Sequence, residues 1–179
     1  MRIAFGVIAC LALAACGGPE TSQANISNDA RTDEKAVGSN LELRLSLGDA
    51  RKIMHDRHEG METIGKTGKA INRELTGSSP DLGLVHAGAA RIAALSHQAS
   101  GWFPAGTGPE VGKTGAKAEI WQPQNQADFA AKLHDFQVAA GAFTVATAGN
   151  DLDLIKARFD NLEHACKACH DKYRAEMHH

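Results

Sequence analysis

Cys166-Lys167-Ala168-Cys169-His170 lies close to the C-terminus of a 179-residue chain, and its reading decides the rest. Two cysteines separated by two residues and followed at once by a histidine form the attachment signature of a c-type haem. Each thiol adds across one haem vinyl group, and the adjacent imidazole then reaches the iron from the proximal side. On a helix, Cys166, Cys169 and His170 fall at spacings of three and four, so all three share one face. The same pair of cysteines could serve a thioredoxin-like redox site or half of a zinc site. The first is expected beside a βαβ pattern, which is not visible, and the second needs another ligand pair, which is lacking beyond the first residues.

Working back from the motif, the chain reads as helices. Aromatic residues are only 5% and prolines number five, while alanine is abundant, a composition that favours helices over a sheet. The spacing predicts a first helix from about Asp49 to Leu75, with Ser46 and Asp49 as a capping box. Met54, Met61, Gly68 and Leu75 recur on its inner face, with Arg57, Ile64 and Ile71 between them. Gly77-Ser78-Ser79-Pro80 breaks the chain, and Pro80 suits the first position of a second helix carrying Leu82, Val85, Ala89 and Ile92 and ending near Gln98. Ser100 to Ile120 is too rich in glycine and proline for a helix, and Trp102, Phe103 and Trp121 are its expected anchors. A third helix, capped by Asn125 with Asp128, carries Phe129, Leu133, Phe136, Ala140 and Phe143. The fourth, capped by Asn150 or Asp151, carries Ile155, Phe159, Leu162, Cys166 and Tyr173. The predicted fold is therefore all-α: an antiparallel up-down-up-down four-helix bundle, residues 47–177, with haem attached to the last helix.

Outside that domain, residues 1–16 read as an export leader. Arg2 is followed by an apolar run from Ile3 to Ala15, too short for an ordinary membrane span. The run closes on Leu13-Ala14-Ala15-Cys16, which resembles the lipobox of bacterial lipoproteins, a family in which the cysteine is lipidated and becomes the first mature residue. This implies a periplasmic protein held to the membrane only through a lipid on Cys16. Residues 17–46 are polar and read as a flexible tether. Within and just beyond it Leu41, Leu43, Leu45 and Leu47 alternate like a strand, but no partner strand exists, so an extended or helical lead-in is expected. Net charge is −2, with lysine and arginine scattered, which excludes a nucleic-acid binder. With Cys10 and Cys16 in the leader and the other pair claimed by haem, no structural disulfide is expected.

Three stretches together resemble the class II c-type cytochromes, the cytochrome c′ family and its low-spin methionine-ligated relatives. They are Arg57-His58-Glu59-Gly60-Met61 through Leu75, Trp102-Phe103-Pro104-Ala105-Gly106 through Trp121, and Cys166 through Arg174. The resemblance implies one covalent haem c on Cys166 and Cys169, with His170 as proximal ligand. It places Arg174 one turn past His170, where it flanks the proximal face or simply caps the helix end as a cation. It places Arg57 near the haem edge, where a guanidinium pairs with a propionate. Met61 falls where the family puts its distal residue, which either ligates the iron or shields it; Met54, about 10.5 Å away along the helix, is the runner-up. The implied function is one-electron transfer with redox partner proteins, the alternative being a five-coordinate iron that binds nitric oxide or another small gas. Dimers through the first helices are common in the family. No nucleophile–base pair and no distal acid or base can be placed, so the expectation is a carrier or binder and not an enzyme. His55, His58, His86, His97 and His134 lack paired ligand spacing, and His178 and His179 are read as having no role, ahead of a weak surface metal site.

Overall fold

The structure, a computed structural model, describes residues 45–176. The leader, Cys10, Cys16, most of the tether and the terminal His178 and His179 lie outside the described residues. Four long helices follow one another: α1 Leu47–Thr76, α2 Leu82–Gln98, α3 Gln126–Thr147 and α4 Leu152–Tyr173. Short 3-10 turns fill parts of the α2–α3 connection. Among the described residues the only β-type pairing is an isolated antiparallel bridge between Ala116 and Arg174. α1 packs on α2, α2 on α3 and α3 on α4, the order of an up-and-down bundle.

Three of the four described helices, α1, α2 and α4, start where a side chain satisfies an orphan backbone donor. The Asp49 amide donates to Ser46 Oγ at 3.1 Å, and that hydroxyl donates to the Asp49 carboxylate at 2.7 Å. Asp81 accepts from the Leu84 amide and Asp151 from the Leu154 amide, both at 3.0 Å. Such caps stabilise a helix by about 1 kcal/mol each. Pro80 is not the first residue of α2, as the sequence suggested. The backbone is still extended at Asp81 (φ −78°, ψ 95°), and it is Asp81 that caps the helix. The expected Asn125 cap is also replaced. Asn125 is already helical, at the end of a 3-10 turn running into α3. Its side-chain Nδ2 instead donates back to the Glu119 carbonyl at 3.1 Å and to Gln122 Oε1 at 3.3 Å.

The core is drawn from one stripe per helix. Ile64, Ile71 and Leu75 meet Val85, Ala89 and Ile92, then Phe136, Ala140 and Phe143, then Ile155, Phe159 and Leu162. Burying each large side chain contributes about 1.5–3 kcal/mol. On α1 the stripe runs through Arg57, Gly60, Ile64 and Ile71, with Met61 half-buried at its edge. Leu47, read as the end of an alternating run, is the exposed first residue of α1.

The α2–α3 connection is packed onto the bundle by its aromatic residues, as expected of Trp102, Phe103 and Trp121. Trp102 is buried against Gly60, and Trp121 Nε1 donates to the carbonyls of Phe103 (3.2 Å) and Pro104 (3.0 Å). A second tie was not foreseen. The Lys117 amide donates to the Tyr173 carbonyl and the Ala175 amide to the Gly115 carbonyl, both at 2.9 Å. The loop is thereby stitched to the end of the helix that carries the cysteines. Ala116, Ile120, Phe129 and Tyr173 form a small second core beneath the stitch.

Candidate functional site

A cavity of about 440 Å³ opens between the helices, on the part of the bundle nearest the C-terminus of α4. α4 supplies Cys166, Cys169 and His170, while α1 supplies Met61, Ile64, Gly65 and Gly68. Phe129, Leu133 and Phe136 of α3, Phe159 and Leu162 of α4 and Phe103 of the connection complete an apolar wall. The helical spacing of three and four thus delivers the motif to one cavity, as the sequence predicted.

The residues present fit a covalently held haem. Cys166 and Cys169 are half-buried and unbridged. Burial, and next the neighbouring Cys169, push the Cys166 thiol up to about 11. Burial also raises Cys169, opposed by the Lys132 charge. Both sulfurs are therefore neutral thiols facing apolar surface, with no metal-type thiolate character. His170 is accessible along its cavity face, yet desolvation by the surrounding protein, and then the Arg174 cation, hold its imidazole below the ordinary 6.5. A neutral ring nitrogen is what an iron ligand needs. Gly65 and Gly68 line the cavity from α1, and a Cβ built on either meets nothing within 4 Å. The space beside them is open along a helix face where side chains would otherwise stand.

Of the two candidate methionines, Met61 lines this cavity. Met54 does not; its terminal methyl lies under the connection, 3.9 Å from where a Cβ on Gly112 would be. Arg174 follows the last residue of α4 and is exposed; its backbone amide donates to the His170 carbonyl at 3.0 Å, and its charge bears on the imidazole. Arg57, expected near the haem edge, is held by the α2–α3 connection. It is 4% exposed, lies outside the cavity lining, and spends four hydrogen bonds on the connection. A guanidinium buried at that depth needs oxygen acceptors, and loop backbone supplies them. Phe103 and Phe129 were read from the sequence as an anchor and a core residue; both also wall the cavity, packed edge to face at 4.9 Å. Nothing in the spacing of Phe103 announces this, since the loop that carries it has no period.

Away from the cavity, Asp128 accepts from the Tyr173 hydroxyl at 2.6 Å and from Lys172 at 2.9 Å. These partners, Tyr173 first, hold its carboxyl below the usual range. On the exposed face of α1, His58, Glu59 and Glu62 come within 4.8 Å of one another. There Lys66 already takes Glu62 at 2.8 Å.

Comparison with known proteins agrees with this geometry. A family model described as cytochrome C′ matches residues 52–174. A cytochrome c′ from Allochromatium vinosum is 32% identical over 123 residues, covering 67% of this chain and 78% of the relative. The crystal structure of cytochrome c′ from Thermochromatium tepidum superposes with a TM-score of 0.65 at 30% identity, covering 74% of this chain and 98% of that one. A nitric oxide complex of a mutant cytochrome c prime from Alcaligenes xylosoxidans gives a TM-score of 0.63 at 27% identity, over 75% and 99% of the two chains.

Proposed function

The chain belongs to the cytochrome c′ family and carries one covalently attached haem c, and from this premise we propose that it moves single electrons as an exported monohaem cytochrome. The observation that carries the reading is that Met61 on α1 and His170 on α4 line the same apolar cavity. Haem c supplies a one-electron iron couple. In this reading Cys166 and Cys169 form the two thioether links. His170, kept neutral by its surroundings, offers a ring nitrogen to the metal, and Met61 offers a thioether sulfur from another helix. Phe103, Phe129, Phe136 and Phe159 keep water out and hold the environment rigid, which lowers the reorganisation that an electron carrier must undergo. Lys69 and Lys167 stand among the lining residues and are exposed, so they would face a docking redox partner. The leader at residues 1–16 directs the chain to the periplasm in this account, with Cys16 lipidated and residues 17–46 as the tether. Arg174 tunes His170 through its charge.

A second reading is favoured by one specific observation: the Alcaligenes xylosoxidans relative is a nitric oxide complex. There Met61 would shield an open distal site and the protein would bind a small gas. The two are separated by visible spectra of the purified haem protein, oxidised and reduced, with and without carbon monoxide. A low-spin spectrum indifferent to the gas, lost on Met61→Ala, supports electron transfer. A high-spin spectrum that shifts with carbon monoxide overturns it in favour of gas binding.

A further inference from the structure

Arg57 has a more specific place than a family position near the haem edge. Its Nη1 donates to the Trp102 carbonyl at 2.9 Å and to Thr107 Oγ1 at 3.2 Å. Its Nη2 donates to the Thr107 carbonyl at 2.8 Å and to Thr114 Oγ1 at 2.9 Å. The guanidinium carbon also stands 5.1 Å from the centre of the Phe103 ring and 5.7 Å from that of Trp121. Trp121 in turn holds the Phe103 and Pro104 carbonyls through its indole N–H. Among the described residues no carboxylate pairs with Arg57 within 4.0 Å. Its charge is met at contact by two carbonyls, two hydroxyls and two aromatic faces and at longer range by Glu110, all contributed by the segment from Trp102 to Trp121.

We propose that Arg57 is a positioning residue for the haem pocket, acting through the connection: it clasps the 102–114 segment so that Phe103 closes the side of the cavity. Phe103 lines the cavity and Arg57 does not. Phe103 is seated from two directions, by the Arg57 cation on its ring and by Phe129 at its edge, 4.9 Å away at 69°. Trp102, the residue before it, is fixed through its carbonyl by the same guanidinium and through its ring by Gly60, one turn along α1. The fork geometry is essential. Lysine carries the charge as a single point and cannot hold the Trp102 and Thr107 carbonyls and the Thr114 hydroxyl at once.

The inference rests on the haem reading of the cavity, and the experiment separates the two. Haem-loaded Arg57→Lys, Thr114→Val and the double variant are compared by circular dichroism in the Soret band, which senses aromatic rings beside the haem. Trypsin cleavage after the exposed Lys113 is measured in parallel as a report on the loop alone. Both single variants are expected to change the Soret signal in the same sense. The double variant should go no further than Arg57→Lys, because the two residues share one contact. Cleavage should quicken on the order of tenfold in Arg57→Lys, the loss of charged hydrogen bonds. Phe103→Leu, which keeps every Arg57 bond to the loop, should alter the Soret signal without quickening cleavage. The proposal is overturned if Thr114→Val is silent in both measurements while Arg57→Lys changes the Soret band, which would make Arg57 a direct partner of the haem. It is equally overturned if Phe103→Leu leaves the Soret signal untouched. A parent protein with no Soret band would instead refute the haem reading itself.

Discussion

Replacing Gly60 by alanine tests how tightly the connection is seated on α1. The added Cβ would fall well inside 3.0 Å of Trp102 Cη2, 2.5 Å from Cζ2 and 2.9 Å from Cζ3. These atoms belong to a rigid indole that is 8% exposed, held by its own backbone to Arg57, so the ring cannot swing aside cheaply. Overpacking of this kind costs about 1–3 kcal/mol, and a three-atom collision with a fixed ring belongs at the upper end. Alanine for glycine inside a helix returns about 1 kcal/mol, leaving a net loss of about 2 kcal/mol. Gly141 on α3 is the control. A Cβ there meets nothing within 4 Å, so Gly141→Ala should stabilise by about 1 kcal/mol. Thermal or urea unfolding of the haem protein reads both, as midpoints that move a few degrees in opposite directions. In a Trp102→Phe background the colliding ring atoms are gone, and Gly60→Ala should behave like Gly141→Ala. If Gly60→Ala raises the midpoint in the parent protein, the seating of Trp102 described above is wrong.

Two further outcomes follow from the cavity and from the surface. Gly68→Leu projects a side chain into the space that Gly68 leaves open; haem incorporation, read as the Soret-to-280 nm absorbance ratio, should fall several-fold while far-ultraviolet circular dichroism stays helical. Asp128→Asn removes a carboxylate whose folded value is depressed below 3.8 by Tyr173 and then Lys172. A depressed carboxyl contributes stability above its unfolded value and loses it as pH falls through the folded one. Unfolding midpoints of the variant should therefore lie below the parent's at pH 7 and converge with them only as pH falls below the ordinary carboxyl range and the folded carboxyl protonates.

The bundle was legible because its signals are local. Apolar residues recur at helical spacing from Ile64 to Leu75 and from Ile155 to Leu162, and Ser46 and Asp151 each begin a helix with a side chain that can accept from it. The motif on α4 was legible for the same reason, since one helix turn fixes three residues on a face. What escaped depends on contacts across the chain. Arg57 reads as a seam residue with a partner to find, but its partners lie 45 to 57 residues away on a segment without periodicity. Asn125 has the chemistry of a cap, yet the 3-10 turn before it carries the helix past that position. Met54 and Met61 repeat at seven residues and were inseparable by spacing; the loop that covers Met54 distinguishes them. The backbone stitch between 115–117 and 173–175 has no side-chain signature at all.

The central claim is that α4 holds haem covalently through Cys166 and Cys169 in the cavity beside His170. The most direct measurement is the intact mass of the denatured protein, expressed in cells able to mature c-type cytochromes, for the parent and for Cys166→Ala/Cys169→Ala. The account predicts one haem added to the parent chain and none to the double variant. A parent mass without haem, or a double variant that keeps it through denaturation, would contradict the account.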